Sequence, residues 1–431
     1  MVTLRLITLL LLLLVLVPLF LIIASRSRPR SGPKASGPKA TSDTSCFHKD
    51  GFKKVLEYFQ RNPNSVVIEQ QDFKDIVQAC EGSDERALLC IANAVAYKSV
   101  PPVANDSKHS QSSSSPCVGP AASHTVVSNY PVGACVLSSE GRVYIGANFE
   151  FNGMLIPTVH GEQCAVHNAL VNRISQNEYI RKLAVNAAPC GSCRQYLVEI
   201  GNPSDLQVIF CSNDNNFSSQ PLDKMIIENF GPINLGVKES VFNHTLLEIP
   251  IASNSNPYSF TKYNSGGGQW RKTKASGPEA SGPEAEHVKV ALDMWKKSYA
   301  PYTNVNIGIA LKFKDGSIVG GATLENAAYN PSVSAIRGAF SLASIMGKTK
   351  GAKNPFEECS FTSLLDSIFV CITSLTSENT KNIQDIQVRE IFHYLNNLKI
   401  TVPVTVITVN ISTTSNLASL REPNIRQLPL Y

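Results

Sequence analysis

The pattern of apolar and polar positions along the chain predicts three folded stretches. Residues 46–115 begin with apolar side chains at helical spacing and predict a small helical region followed by a serine-rich loop. Residues 116–250 and 287–431 each mix strand-like and helix-like patterns, which indicates layered α/β domains. Residues 251–286 lie between these two domains. They contain SGPEA twice, which has no large apolar side chain to bury, and they are predicted to be a linker.

Within the first α/β domain the pattern predicts a hairpin, a helix, a strand, a second helix and a last strand. The hairpin turns at SEG, residues 139–141, where polar residues and a glycine interrupt two apolar runs. The predicted ranges are 132–137 and 143–147 for the hairpin, 162–174 for the first helix, 183–186 for the strand, 190–200 for the second helix and 206–211 for the last strand.

Part of this pattern recurs in the second α/β domain. The stretch that begins at Gly133 resembles the one that begins at Gly308, and the stretch at Gly146 resembles the one at Gly321. Both offsets are 175 residues (308 − 133 and 321 − 146). Two matches at one offset predict a duplicated domain.

Two clusters in the first copy carry the candidate chemistry. One reads TVHGEQ from position 158 and the other reads APCGSCR from position 188. An imidazole from His160 and thiolates from Cys190 and Cys193 suit a tetrahedral zinc with an open fourth position, the pattern of catalytic zinc sites. The arrangement H-x-E…P-C-x-x-C is the established signature of zinc-dependent deaminases.

Glu162 is the candidate proton carrier. Zinc lowers the pKa of a bound water to roughly 7, so hydroxide becomes available at neutral pH. We hypothesise that Glu162 accepts the released proton, protonates N3 of a cytosine during attack at C4, and then protonates the departing ammonia. A carboxyl group in both roles needs a water-poor pocket that raises its pKa.

The second copy is predicted to lack this metal site. The offset of 175 residues takes His160 to Ala335 and Glu162 to Arg337, and no Cys-x-x-Cys pair follows residue 300. One zinc per chain is therefore expected.

Two other interpretations concern neighbours of the cluster. A closed structural zinc site built on the Cys-x-x-Cys pair would need two more ligands, which could come from Cys164, His167 or Cys211. The first two of these fall on the predicted inward face of a helix. Arg194 either offsets the charge of the two thiolates or is a surface arginine.

Composition adds little to this picture. The formal net charge of the 431-residue chain is only +5, which is weak support for nucleic-acid binding. Of the 11 cysteines, only Cys190 and Cys193 show a ligand-type spacing, and the others are scattered singly among apolar neighbours. A disulfide framework is therefore not predicted, and the odd total favours a reducing compartment.

The N-terminal 45 residues predict a membrane anchor and a basic linker. Residues 6–24, from Leu6 to Ala24, are almost wholly apolar and reach the length of a bilayer span. Arginines at positions 26, 28 and 30 follow, so the positive-inside rule places the catalytic body in the cytosol. A signal peptide cleaved near Ala24, which would make the protein secreted or lumenal, is the alternative.

On these motifs the chain resembles the cytidine deaminases of the two-domain, homodimeric type. The resemblance rests on GANFEF from position 146, TVHGEQ from position 158, PCGSCRQ from position 189 and LENAAYNP from position 324. It implies a duplicated three-layer α/β sandwich, with a zinc-binding copy and a degenerate copy. It also implies hydrolytic deamination of cytidine and 2′-deoxycytidine to uridine and 2′-deoxyuridine in pyrimidine salvage.

The resemblance further implies a set of substrate-binding residues. Asn148 and Glu150, with Phe149 between them, would hold the ribose hydroxyls, and Tyr130 would stack on the pyrimidine. The remaining contacts would come from the N–H group of Gly161 and the carbonyl group of Ala188, which would bind the edge of the base.

Two further functions remain open at this point. The first is a polynucleotide cytosine deaminase with the same zinc core, which the modest net charge and the ribose-type strand disfavour. The second is a membrane-anchored nucleoside-binding protein that has lost catalysis, which the intact set of His160, Glu162, Cys190 and Cys193 disfavours.

Overall fold

The computed structural model of the chain describes residues 48–96, 123–151, 158–211, 216–247, 258–266, 269–273, 285–349, 361, 363–374 and 378–410. The apolar segment from Leu6 to Ala24 lies outside these residues. No helix in the described part of the chain combines the length and apolar character needed to cross a membrane.

The first half of the described chain builds one six-stranded sheet. Its strands are β1 (Val67–Ile68), β2 (Gly133–Ser138), β3 (Val143–Ala147), β4 (Ile180–Val185), β5 (Gln207–Cys211) and β6 (Phe217–Pro221). Their order is β1-β3-β2-β4-β5-β6, with β4 and β5 parallel and the other neighbours antiparallel. The helices of this half are α1 (Lys49–Arg61), α2 (Gln70–Ala79), α3 (Asp84–Ala96), α4 (Gly161–Asn172) and α5 (Gly191–Leu197).

Helices cover both faces of this sheet, because two glycines let helix backbones approach it closely. A Cβ atom on Gly133 would lie 2.0 Å from the carbonyl oxygen of Ala92 in α3. A Cβ atom on Gly146 would lie 2.2 Å from the nitrogen of Ala165 in α4. Gly146 pairs with Ala134, the residue after Gly133, so the two glycines face opposite sides of the pleated sheet. The three layers are therefore α3, sheet and α4.

The second half builds another six-stranded sheet. Its strands are β7 (Tyr258–Gly266), β8 (Gln269–Thr273), β9 (Ile307–Phe313), β10 (Ile318–Ala322), β11 (Leu365–Ser374) and β12 (Val404–Asn410), in the order β10-β9-β11-β12-β7-β8. The helices are α6 (Glu286–Lys297), α7 (Ala335–Ile345) and α8 (Glu378–Asn397).

The two sheets are copies of one α/β unit, as the duplicated pattern predicts. Gly308 approaches the backbone of α6 as Gly133 approaches α3, with 2.3 Å between its built Cβ and the Ala291 carbonyl oxygen. Helix α3 therefore corresponds to α6 and belongs to the first copy. The predicted boundary at residue 116 differs from the structure here, because a sheet buried on both faces needs a helix on each of them.

The stretch predicted as a linker contributes two strands to the second sheet. β7 pairs antiparallel with β12, and β8 pairs with β7 at the sheet edge. Trp270 of β8 stacks on Phe392 of α8 at 5.0 Å, and its Nε1 donates to Asn396 Oδ1 at 2.9 Å. The prediction of a linker over 251–286 is thus wrong for residues 258–266 and 269–273. These residues alternate between aromatic and polar side chains, as strands do, but the glycines and serines around them favour a linker in the sequence pattern.

Polar side chains join the two copies through buried contacts. Glu199 accepts hydrogen bonds from the hydroxyl of Tyr299 at 2.9 Å, the hydroxyl of Tyr302, and the backbone N–H of Ala327 at 2.9 Å. Because Glu199 is fully buried, its carboxylate depends on these three donors.

His167 of α4 also contacts the second copy. Its ring is fully buried and lies 3.1 Å from the carbonyl oxygen and 3.2 Å from the nitrogen of Ala322, and burial lowers its pKa to about 4. A Cβ atom on Gly338 in α7 would lie 2.2 Å from its Nε2. The neutral imidazole thus occupies the space that a side chain at position 338 would need.

We expect the Gly338→Ala substitution to lower the free energy of unfolding by about 1–3 kcal/mol, because overpacking outweighs the gain of about 1 kcal/mol in helix propensity. In a His167→Ala background the same substitution should be neutral or stabilising. Urea unfolding of the four proteins of this double-mutant cycle measures both effects. Equal effects of Gly338→Ala in the two backgrounds would contradict the packing assigned to His167.

Candidate active site

His160 directly precedes the first turn of α4. It is the N-cap of this helix, with φ −75° and ψ 158°, and follows Val159, which bridges to Phe149. Its backbone N–H donates to Gln163 Oε1 at 2.9 Å, while Gln163 Nε2 donates to the carbonyl of Pro331 in the second copy at 2.8 Å. Gln163 thus fixes the backbone that presents His160, and the second copy fixes Gln163.

Gln163 was not among the predicted site residues, although its signal was present. A Gln three positions after an N-cap residue is half of a capping box. The capping-box spacing in the sequence therefore already indicated that the Gln163 side chain positions the backbone of His160.

Cys190 and Cys193 lie at the start of α5, directly after the end of β4. Cys190 is the N-cap of α5 and Cys193 lies in its first turn. Arg194 Nε donates to the carbonyl of Pro189 at 3.0 Å and its Nη1 donates to that of Met225 at 3.1 Å. Arg194 therefore holds the turn before Cys190, and its effect on the charge of the two thiolates stays a prediction.

The structure brings His160, Cys190 and Cys193 into one cluster. One ligand atom from each lies within 4.8 Å of the others, and His160 Nδ1 is 3.6 Å from Cys190 Sγ. Zinc–sulfur bonds of 2.3 Å and zinc–nitrogen bonds of 2.0–2.1 Å at a tetrahedral angle place N and S about 3.6 Å apart. The donor set and its spacing therefore fit zinc, with Nδ1 as the coordinating nitrogen.

Among the residues that the structure describes, this is the one group of three or more possible ligands that meets this distance criterion. Cys164 and His167 are fully buried in α4 and are not members of the cluster, and Cys211 is not a member either. This arrangement supports an open three-ligand site over the closed structural zinc interpretation.

Glu162 lies beside the cluster in the first turn of α4. Its side chain is only 3% exposed, and burial raises its pKa. Hydrogen bonds from Cys193 and His160 lower the pKa of Cys190 to about 3, whereas the bond to Cys190 and burial raise that of Cys193. The site therefore holds a thiolate, a nearby carboxyl group and an imidazole at the N-termini of two helices, where negative charge is favoured.

Glu150 and Asn148 hold the backbone of the loop over residues 125–132. Glu150 Oε2 accepts from the N–H groups of Val127 at 2.6 Å and Ser128 at 2.9 Å. Asn148 Oδ1 accepts from the N–H of Val132 at 2.9 Å, and its Nδ2 donates to the carbonyl of Tyr130 at 3.0 Å.

The other predicted substrate residues fall into two classes. Tyr130 is half-buried on the loop held by Asn148, Gly161 is the first residue of α4, and Ala188 is exposed just before Cys190. Phe149, which lies between Asn148 and Glu150 in the predicted substrate-binding set, faces the protein core. It is 1% exposed and packs against Phe151 at 4.8 Å, because alternate strand residues point to opposite faces.

The second copy repeats this frame with a shift of one residue. The bridge from Phe149 to Val159 corresponds to the bridge from Leu324 to Val333, which spans one residue fewer. The N-cap of α7 is Ser334, so the equivalents of His160 and Glu162 are Ser334 and Ile336. The predicted equivalents Ala335 and Arg337 are therefore wrong by one position.

Comparison with known protein families finds a match for each copy. Residues 109–210 match one family model and residues 222–354 match another. Both models are described as "Cytidine and deoxycytidylate deaminase zinc-binding region".

Curated relatives match more than half of the chain. The chain is 30% identical over 251 residues to a cytidine deaminase of Vibrio cholerae serotype O1, covering 58% of this chain and 70% of that protein. It is 33% identical over 228 residues to a cytidine deaminase of Photorhabdus laumondii, covering 53% of this chain and 65% of the relative.

Solved structures that resemble the chain include two cytidine deaminases. One is from Burkholderia pseudomallei, with 28% identity, a TM-score of 0.21 and coverage of 24% of this chain and 84% of the other. The second is from Mycobacterium tuberculosis, with 30% identity, a TM-score of 0.22 and coverage of 25% and 85%.

We expect Cys190→Ser to weaken zinc binding at least about tenfold, because a hydroxyl group replaces one of three protein ligands. The matched control is Cys164→Ala, which removes a buried thiol of the neighbouring helix and should leave one zinc per chain. Zinc content of the purified proteins and competition with a chromophoric chelator measure both. Equal zinc loss in the two variants would contradict the assigned ligand set.

Proposed function

This chain belongs to the cytidine deaminase family, and we propose that it hydrolyses cytidine and 2′-deoxycytidine to uridine and 2′-deoxyuridine with release of ammonia. The observation that carries the proposal is the convergence of His160, Cys190 and Cys193 beside the buried carboxyl group of Glu162. This pairing of an open metal site with an adjacent proton carrier is what hydrolytic loss of an amino group requires.

When bound by these ligands, zinc supplies Lewis acidity and lowers the pKa of a coordinated water to about 7. Glu162 holds the proton that the attacking water gives up and delivers it to N3 of the pyrimidine. It then takes the proton of the new C4 hydroxyl group and passes it to the amino group, which leaves as ammonia while the C4 carbonyl of uridine forms. Its burial against Cys193 keeps bulk water away from these transfers.

The sugar would be held by the loop that Glu150 and Asn148 organise. Both loop amides donate to Glu150 Oε2. Within the described residues Glu150 Oε1 accepts no hydrogen bond. We assign Oε1 to a ribose hydroxyl. Asn148 acts as a positioning residue for Tyr130, whose ring is the candidate stacking partner of the base.

The two other candidate functions have less support. A polynucleotide deaminase needs a strongly basic channel, and the chain has a formal net charge of +5. A binding protein without catalysis would not need the carboxyl group of Glu162 beside three zinc ligands.

We expect Glu162→Gln to retain zinc and to lower kcat by about 10²–10⁴-fold, since the amide fills the same space but cannot carry the proton. The matched control is Glu140→Gln, in the exposed turn between β2 and β3. Spectrophotometric loss of cytidine, with zinc content measured in parallel, tests this. Full activity of the Glu162 variant would remove the residue from its assigned role.

A second substitution separates sugar binding from loop structure. Glu325 in the second copy accepts from the N–H groups of Tyr302 and Thr303, as Glu150 does from its own loop. We expect Glu150→Gln to lower kcat/KM for cytidine about 10- to 100-fold through loss of a charged hydrogen bond to the sugar. Glu325→Gln should affect stability similarly while kcat/KM stays within about twofold. Equal kinetic losses would indicate that Glu150 acts only through its loop.

We also propose that residues 6–24 anchor the protein in a membrane with the catalytic body in the cytosol, and that two chains form a homodimer. Support for the anchor is the length and apolarity of that segment. Support for the dimer is a short segment with exposed apolar side chains, namely Ile227, Phe230, Ile233 and Leu235.

A chain that starts at residue 46 should be recovered without detergent, deaminate cytidine, and show twice the chain mass in light scattering. The full chain should require detergent for extraction. In sealed membrane vesicles a C-terminal tag should be digested by added protease when the cytosolic face is outward. Protection of the tag would instead support the lumenal alternative.

A further inference from the structure

The second copy contains a cavity at the position that corresponds to the candidate active site. Its volume is about 220 Å³. Thr323 and Glu325 line it at the positions of Asn148 and Glu150. The equivalent of His160 also lines it, as does the equivalent of Glu162.

Four polar atoms of the cavity lining are buried and have no hydrogen-bond partner in the described part of the chain. They are Thr323 Oγ1, Ser334 Oγ, Arg337 Nε and Gln387 Oε1. Thr323 as a whole residue is 6% exposed. A buried polar atom without a partner is costly, and four around one cavity call for a ligand that satisfies them.

Ser334 lacks the hydrogen bond that a serine usually makes at its position in the fold. Serine is favoured at an N-cap because its oxygen accepts a hydrogen bond from the first turn. Ser334 is the N-cap of α7, yet its side chain makes no capping hydrogen bond.

The four atoms define the chemistry of the occupant. Gln387 Oε1 needs a donor, Arg337 Nε needs an acceptor, and the hydroxyls of Thr323 and Ser334 accept either. Apolar side chains complete the wall, namely Ile307, Val333, Ile336 and Ile391. A ring with apolar faces and alternating donors and acceptors on its edge matches this lining.

Charge excludes a phosphorylated occupant. Arg337 is the one basic side chain of the lining, and its Nη1 and Nη2 already donate to the carbonyls of Ser332 and Thr158 at 3.2 and 3.3 Å. Two acidic side chains, Glu325 and Glu390, share the same wall. A phosphate group would therefore meet more negative than positive charge.

We propose that this cavity is a second, non-catalytic binding site for an uncharged pyrimidine nucleoside. Ile336 cannot carry a proton and Ser334 replaces the imidazole ligand, so a nucleoside bound there is held without reaction. The choice of a nucleoside as the ligand rests on the proposed function of the first copy. The inference that the cavity binds a ligand rests only on the unpartnered atoms and is independent of that function.

Calorimetric titration of the full zinc-loaded chain with uridine, which is not turned over, tests this proposal. The matched variants are Thr323→Val and Ser334→Ala, each of which removes one unpartnered hydroxyl with little change of shape. We expect each variant to lose one uridine site relative to the wild-type chain, or to bind it at least tenfold more weakly, while unfolding at an equal or higher temperature. Uridine 5′-monophosphate should not occupy the lost site.

A uridine stoichiometry and affinity that neither substitution reduces would overturn the proposal, and so would tighter binding of the monophosphate at this site. A separate measurement tests the proposed function: if it is wrong, the wild-type chain releases no ammonia from cytidine. The number of uridine sites lost on substitution can be measured whether or not that reaction occurs.

Discussion

The site depends on two helix N-termini meeting at one edge of the first sheet. Helix α4 begins after His160, and α5 begins at the end of β4 after Cys190. The close packing of α4 on Gly146 fixes the first of these N-termini relative to the sheet. A metal with bonds of about 2.0–2.3 Å tolerates little movement of its ligands, so this backbone packing precedes the chemistry.

The second copy contributes to the site although none of its described residues belongs to the cluster of His160, Cys190 and Cys193. Its Pro331 carbonyl accepts from Gln163, and its Arg337 donates to the carbonyl of Thr158, two residues before His160. The buried contacts of His167 and Glu199 bind the copies together in the same region. Duplication has thus given one copy the reaction and the other the support of its geometry.

The two copies also show how one frame tolerates different chemistry. Glu150 and Glu325 accept from equivalent loop amides, so the loop depends on a carboxylate in both copies. The N-cap of the helix that follows is His160 in one copy and Ser334 in the other. The second copy has this backbone frame without an imidazole at the N-cap, which indicates that sheet and helix packing are enough to hold it.

The sequence by itself determined the candidate zinc ligands, the candidate proton carrier and the presence of two copies, because these are carried by residue type and local spacing. Only the tertiary structure decided that α3 belongs to the first copy, that β7 and β8 complete the second sheet, and that Ser334 corresponds to His160. Phe149 shows the same division, since its neighbours Asn148 and Glu150 carry the motif while the pleat turns its own ring into the core. The physical reason is that ligand chemistry needs only a few residues at fixed separation, whereas pairing, register and burial arise from contacts between residues far apart in the chain.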